Sequence, residues 1–340
     1  MIDYRLKQNR REAFIRWFAW SLKYKDCDPA VWATNYLNQR YQHNDEQRLW
    51  FCWLYGNTYY LPSAWVLMQE FPDFELATVD KIEQWNTENS KRLRYQTDTK
   101  WNNKGNLPAM FQSYQKFIGN STQRERLESF YGTTPEQSFN NLWTGIKSNL
   151  HKFGRYSTWF YLQHLSHTGN INIEPDNLML NDYKGSRSHR NGLLFALGRD
   201  EQVDTPLTAE QYKSLENEAL DILNEMKSRF PELNADNFQL ETVLCSFKKL
   251  FRVNNGRYLR YYLDRQAEEI QQLEQDNWSG IDWQVLWDSR TETLIPELNL
   301  KSGIDKTLYD SFLTTSNIKS LNMMFDNPEI KSNNNLLEFI

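Results

Sequence analysis

An all-α protein is what this sequence predicts, and three observations carry that expectation. Glycine and proline are both scarce, 13 and 10 among 340 residues, which favours long helices with few tight turns. Apolar residues recur at helical spacing through most of the chain, and residues suited to helix capping precede many of those stretches. Beyond isolated short runs no strand-rich block stands out. The pattern amounts to roughly 13 to 15 helices.

Taken in order, Arg10–Tyr24 places Phe14, Trp17, Phe18 and Leu22 on one stripe, as an amphipathic helix requires. Asp28 followed by Pro29 reads as an N-cap with proline at the first helical position, opening a helix through Tyr41. Asn44 or Asp45 caps EQRLWFCWLYG, which is apolar on nearly every side and is therefore assigned to the core. Helices over Leu61–Phe71 and Thr78–Arg94 follow, the second capped by Thr78 or Asp80. The polar stretch YQTDTKWNNKGN (95–106) breaks the pattern before a helix opening at Leu107-Pro108. Thr133-Thr134-Pro135-Glu136 begins another in capping-box style, reaching about Leu150. A Gly-Arg turn then opens an aromatic-rich helix. Pro206–Phe230, with Thr208 as cap, is clearly amphipathic, and Leu240–Phe251, Arg257–Asp276 and Asp282–Leu294 complete the set. No internal repeat is present. Residues 1–300 are expected to form a single helical domain, with any division into two intimate subdomains falling near 1–120 and 121–300; 301–340 is a C-terminal extension with a loose end.

Composition narrows the class. Cys27, Cys52 and Cys245 are too few and too scattered for a disulfide framework or a four-cysteine metal cluster. The charged N-terminus has no signal-peptide apolar stretch, and no window approaches 18 consecutive apolar residues, so a soluble cytosolic protein is expected. The five histidines lack metal-ligand spacing, and no phosphate-binding loop, dinucleotide fingerprint or nucleophile elbow is present; neither metal nor cofactor is expected. Thirteen Trp, 18 Tyr and 19 Phe exceed what packing requires, and flat rings serve equally well as core filler and as platforms for bases. The net charge of −5 hides segregation. Basic residues gather at 5–16, 91–104, 147–155, 184–199 and 248–265, and acidic ones at 200–241 and 268–297. That arrangement is compatible with one positive face for DNA on an acidic body.

The run His151–Gly198 carries most of the functional signal. Asp182 is followed at once by Lys184, Ser186, Arg187, Ser188, His189, Arg190 and Asn191. One carboxylate among cations and hydroxyls suits a site that holds a phosphate beside a group whose proton must move. Arg187 and Arg190, three apart at a helix start, are spaced to reach one anion together. A solvated basic loop is the plainer alternative. Upstream, Lys152-Phe153-Gly154-Arg155 places a glycine where positive φ and a following helix N-terminus would grip a DNA backbone, although an ordinary glycine cap between helices reads the same way. Asp98, Lys100 and Trp101 form a second charged and aromatic cluster in the 95–106 loop. Lys248–Arg265 interleaves cations, Arg257 and Arg260 among them, with tyrosines in a pattern suited to a backbone-tracking groove.

At EQRLWFCWLYGNTY, YQTDTKWNNKGNLPAMFQSY, HKFGRYSTWFYLQHL and DNLMLNDYKGSRSHRNGLL the chain resembles the bacteriophage amino acid:DNA transferases, also called α-glutamyl/putrescinyl thymine pyrophosphorylases. The resemblance spans roughly residues 30–265. It implies a fold related to the helix-hairpin-helix DNA glycosylases, with KFGR at the hairpin and Asp182 near the glycosylase aspartate. The hairpin lacks Gly-x-Gly, no lysine nucleophile follows it, and iron–sulfur cysteines are missing, which points to substitution on the base rather than its excision. The implied reaction joins the amine of a free amino acid (glycine, serine or glutamate) to phosphorylated or pyrophosphorylated 5-hydroxymethyluracil in double-stranded DNA, with loss of (pyro)phosphate. Its setting would be the cytoplasm of an infected bacterial host, away from any membrane.

On that reading Asp182 orients or deprotonates the amine. Arg187, Arg190 and Lys100 hold the leaving phosphate, with Asp98 supporting Lys100 and Ser186, Ser188 and Asn191 adding donors. Trp101 or Tyr156 stacks on the flipped base. Lys152, Gly154, Arg155, Lys184, Arg257 and Arg260 hold the DNA. Two rivals remain at this stage: a glycosylase-type excision enzyme, and a helical DNA-binding protein without catalysis.

Overall fold

The computed structural model describes residues 6–96, 105–184, 186–251 and 261–293. Among them the protein is all-helical, with fourteen α-helices and no β-strand. No helix among the described residues is long and apolar enough to cross a membrane. The chain divides into two compact units that interleave in sequence. Among the described residues the first comprises 6–29, 177–184, 186–251, 261–267 and 290–293, and the second 30–96, 105–176 and 268–289.

The second unit is built on a buried helix. Its elements are α2 (Pro29–Arg40), α3 (Asp45–Thr58), α4 (Leu61–Glu70), α5 (Val79–Asn89), α6 (Leu107–Ile118), α7 (Gln123–Glu128), α8 (Pro135–Asn149) and α9 (Arg155–His167). Asn44 caps α3 in a reciprocal box with Gln47, and every residue from Leu49 to Thr58 is buried, as the all-round apolar sequence requires. Trp50 and Trp53 stack at 4.9 Å, and the Tyr114 ring lies parallel to Trp53 at the same distance. A hydrogen-bond chain crosses this core: Tyr161 donates to Tyr114 (3.3 Å), and Tyr114 donates to Gln123 Oε1 (2.7 Å). Gln123 in turn donates to the Glu46 carbonyl (2.9 Å). These buried hydroxyls and amides are thereby satisfied inside an aromatic core.

Helix α5 stops at Asn89, short of the expected Arg94. A turn at 90–92 follows, and the next residues are held by tertiary bonds: Ser63 Oγ exchanges hydrogen bonds with the backbone of Arg94 (2.6 and 3.1 Å), and the Gln96 N–H donates to the Thr58 carbonyl (3.2 Å). The Arg94 guanidinium pairs with Asp276 (3.1 Å), so this side chain serves a tertiary contact.

The first unit contains α1 (Arg10–Lys23), α10 (Ser188–Ala196), α11 (Ala209–Arg229) and α12 (Asn237–Phe247). Asp236 and Gln239 form a capping box that starts α12 three residues before the expected Leu240. Phe247 lies at the centre of an aromatic group, edge-on to Phe14 (5.1 Å) and Phe195 (5.7 Å) and stacked on Trp17 (5.6 Å). Helices α10 and α12 pack backbone to backbone. At Gly192 an added Cβ would sit 1.8 Å from the Leu244 carbonyl oxygen, so only glycine permits this approach. The remaining helices are α13 (Tyr261–Glu274) and α14 (Gln284–Thr293).

Gly192→Ala should therefore force α10 from α12, at about 1–3 kcal/mol. Urea unfolding would show this as a lowered midpoint with an unchanged slope; a wild-type midpoint would contradict the contact.

Candidate active site

In the first unit, the irregular segment before α10 is fastened at several points. Glu216, on α11, accepts the backbone N–H groups of Leu178 (2.9 Å) and Leu180 (3.0 Å). Asn177 Oδ1 accepts from the Met179 N–H (2.8 Å) and the Tyr212 hydroxyl (3.2 Å). Asn181 Oδ1 accepts the Leu207 N–H (3.2 Å). Met179 takes a left-handed conformation (φ 51°), and the Asp182 N–H closes the turn onto the Met179 carbonyl (3.0 Å). Asp182 thus sits half-exposed at the end of a turn whose backbone is held from α11 and from the loop before it. Lys184 and Arg187 are exposed beyond it, with Ser186 and Ser188 partly so.

Arg187 and Arg190 do not present one joint face to solvent. Arg187 is half-exposed and pairs with Asp204 at 3.1 Å, a surface pair that contributes little to stability. Arg190 is fully buried. Its guanidinium donates to the carbonyls of Leu180 (3.4 Å), Val203 and Thr205 (3.0 Å), and lies over the Tyr183 ring at 5.3 Å. Burial lowers its pKa, Asp204 opposes that shift and Arg187 adds to it. Asn191, also buried, accepts the Val203 N–H (3.2 Å). Both side chains expected to meet phosphate therefore hold loop backbone. A helix start offers each of its residues a different direction, which identity and spacing alone do not reveal.

A further face of α10 carries His189, which the sequence pattern placed in the run after Asp182 but did not join to Glu241 and Cys245. His189 is buried, its Nδ1 3.9 Å from Glu241 Oε1 on α12. Cys245, one turn after Glu241, places its Sγ 3.5 Å from the same carboxylate oxygen. The Gly192 contact brings this group together. Its one legible trace was the i,i+4 spacing of Glu241 and Cys245.

In the second unit, the KFGR turn differs from expectation. Positive φ falls on exposed Lys152 (64°), whereas Gly154 is extended (φ −78°) as the N-cap of α9 and has open space where a Cβ would lie. Gly154 has no side chain with which to cap the helix. Arg155 is turned inward, 1% exposed, with its guanidinium 5.2 Å from the Trp159 ring centre. Tyr156 is half-buried against Tyr59 (5.5 Å) and Phe160 (4.7 Å). Its hydroxyl donates to Gln96 Oε1 (2.5 Å), the last described residue before the 97–104 segment. Asp98, Lys100 and Trp101, and likewise Arg257 and Arg260, lie outside the described residues.

Replacing Arg190 by lysine should be far from conservative, because one ammonium cannot span three separated carbonyls. A loss of about 2–3 kcal/mol is expected in urea unfolding. An unchanged midpoint would show that the guanidinium contributes little to holding the loop.

Comparison with known proteins bears on what this arrangement serves. The model of the family described as "Amino acid:DNA transferase" matches residues 23–256, most of the chain. A protein named "Serinyltransferase" from Salmonella phage ViI is 27% identical over 315 residues, covering 85% of this chain and 75% of the relative. No solved structure matches. The matched span takes in both the Asp182 turn and the KFGR turn, and by its extent the chain belongs to the amino acid:DNA transferases, enzymes that join an amino acid to DNA.

Proposed function

We propose that the chain joins the amine of a free amino acid to phosphorylated or pyrophosphorylated 5-hydroxymethyluracil in double-stranded DNA, and that serine is its first-choice donor. The name of the phage relative supports serine over glycine and glutamate. The single observation that carries the reaction is the fastened turn ending in half-exposed Asp182, with exposed Lys184 and Arg187 following within five residues. A carboxylate held in this way can take a proton from the incoming ammonium group, which is not nucleophilic until it loses one. The amine nitrogen then forms a bond to the exocyclic methylene carbon. The carbon–oxygen bond to phosphate breaks, its electron pair leaves with the phosphate, and the second amine proton goes to solvent. Arg187 and Lys184 neutralise the departing anion.

Arg190 and Asn191 are assigned a different part from the one their sequence positions suggested: they set the 199–207 loop beside this turn. Tyr156, with Trp101, is the proposed stacking surface for the everted pyrimidine, and Asp98 and Lys100 are proposed to add to phosphate binding. Lys152, Arg257 and Arg260 supply charge to the DNA backbone. The cytoplasm of an infected bacterial host, where phage DNA is available, is the proposed setting.

The test is incubation of the protein with phosphomethyluracil and pyrophosphomethyluracil DNA and each of the twenty amino acids in turn, followed by digestion to nucleosides and mass spectrometry. Serine should yield a new nucleoside carrying the amino acid through its amine, with one (pyro)phosphate released per adduct. Unaltered nucleosides under every condition would contradict the reading.

A further inference from the structure

The His189–Glu241–Cys245 group is not used by the proposed reaction, and its composition asks for another explanation. His189 and Glu241 are both fully buried, and Cys245 is half-buried beside them. The His189 Nδ1 stands 3.9 Å from Glu241 Oε1, beyond hydrogen-bonding range, and the Cys245 thiol donates to the same oxygen at 3.5 Å. The spacing fits something larger than a proton.

We propose that His189, Glu241 and Cys245 bind one divalent transition-metal ion, and that zinc suits them best. Nitrogen, oxygen and sulfur donors together are a zinc ligand set. Metal–ligand bonds of about 2.0–2.3 Å in a tetrahedron place neighbouring donor atoms roughly 3.3–3.8 Å apart. Glu241 Oε1 and Cys245 Sγ already stand at 3.5 Å, and all three donors lie within 4.8 Å of one another. Closing the set needs a shift of the imidazole of about 1 Å, within the reach of one side-chain torsion. The charge also balances. Cys245 gives its thiol proton to solvent on binding, and the resulting thiolate and the Glu241 carboxylate cancel the two charges of the ion. Water can occupy the fourth position, and half-buried Cys245 marks the way in. The ion would fasten the first turn of α10 to α12 at the end of α10 that adjoins the Asp182 segment. Independently of the reaction assigned above, this is a structural site, since two of its ligands are closed to solvent.

The full chain, stripped with a chelator and titrated with Co(II), should develop a sulfur-to-cobalt charge-transfer band that saturates at a single ion per chain and that zinc abolishes. Cys245→Ser should lose the band, while Cys27→Ser and Cys52→Ser should keep it. His189→Asn should weaken binding by roughly 100-fold or more, since a direct ligand matters at least as much as the outer partners of a site. Zinc should also protect Cys245 from alkylation in the unaltered chain, read by peptide mass spectrometry, which keeps the test intact where a variant does not fold. No band, a band that survives Cys245→Ser, or alkylation of Cys245 at the same rate with and without zinc would each overturn the site.

Discussion

The close approach of α10 to α12 at Gly192 is the constraint on which the first unit depends. With no Cβ at that position, the α10 backbone rests against the Leu244 carbonyl. That contact sets the rotation of a nine-residue helix about its axis, and the rotation decides what each neighbouring side chain meets. His189 is turned to Glu241 and Cys245. Arg190 is turned to the carbonyls of Leu180, Val203 and Thr205, and Asn191 to the Val203 N–H. Loss of the contact would change all of these together, because they share one rigid element.

Much of the architecture was legible because helix capping is local chemistry. Asn44, Thr78, Thr134 and Thr208 cap as their positions suggest, and the apolar faces of α1, α3 and α11 are buried where periodicity places them. The short α7 carries its own signal, the Thr122–Glu125 capping box, which went unread because only six residues follow it. The end of α5 was not legible: Ser63 and Thr58, distant in sequence, capture the backbone at Arg94 and Gln96.

The candidate site divides in the same way. That Asp182 lies in a cluster of cations and hydroxyls is a fact of sequence, and the fastened turn beneath it is consistent with that emphasis. Which arginine faces outward is a fact of packing. Arg187 and Arg190 are chemically identical and one helical turn apart, yet one is exposed and the other buried among carbonyls. The same holds for KFGR, where glycine suggested positive φ and Lys152 adopts it instead. The His189–Glu241–Cys245 group was invisible for a third reason: its members come from two helices that only the folded chain brings together.

Joining an amino acid to DNA depends on holding the reacting groups and the residues that serve them at constant separation. The segment from Asn177 to Asp182 is suited to that task, because Glu216, Asn177, Asn181 and Arg190 bind its backbone or its flanks from several directions. The direct test is single-turnover transfer by Asp182→Asn on modified DNA, with DNA affinity measured in parallel. A positioned base predicts a rate lowered by about 10²–10⁴-fold at unchanged affinity. Transfer by the asparagine variant at the wild-type rate would contradict the account.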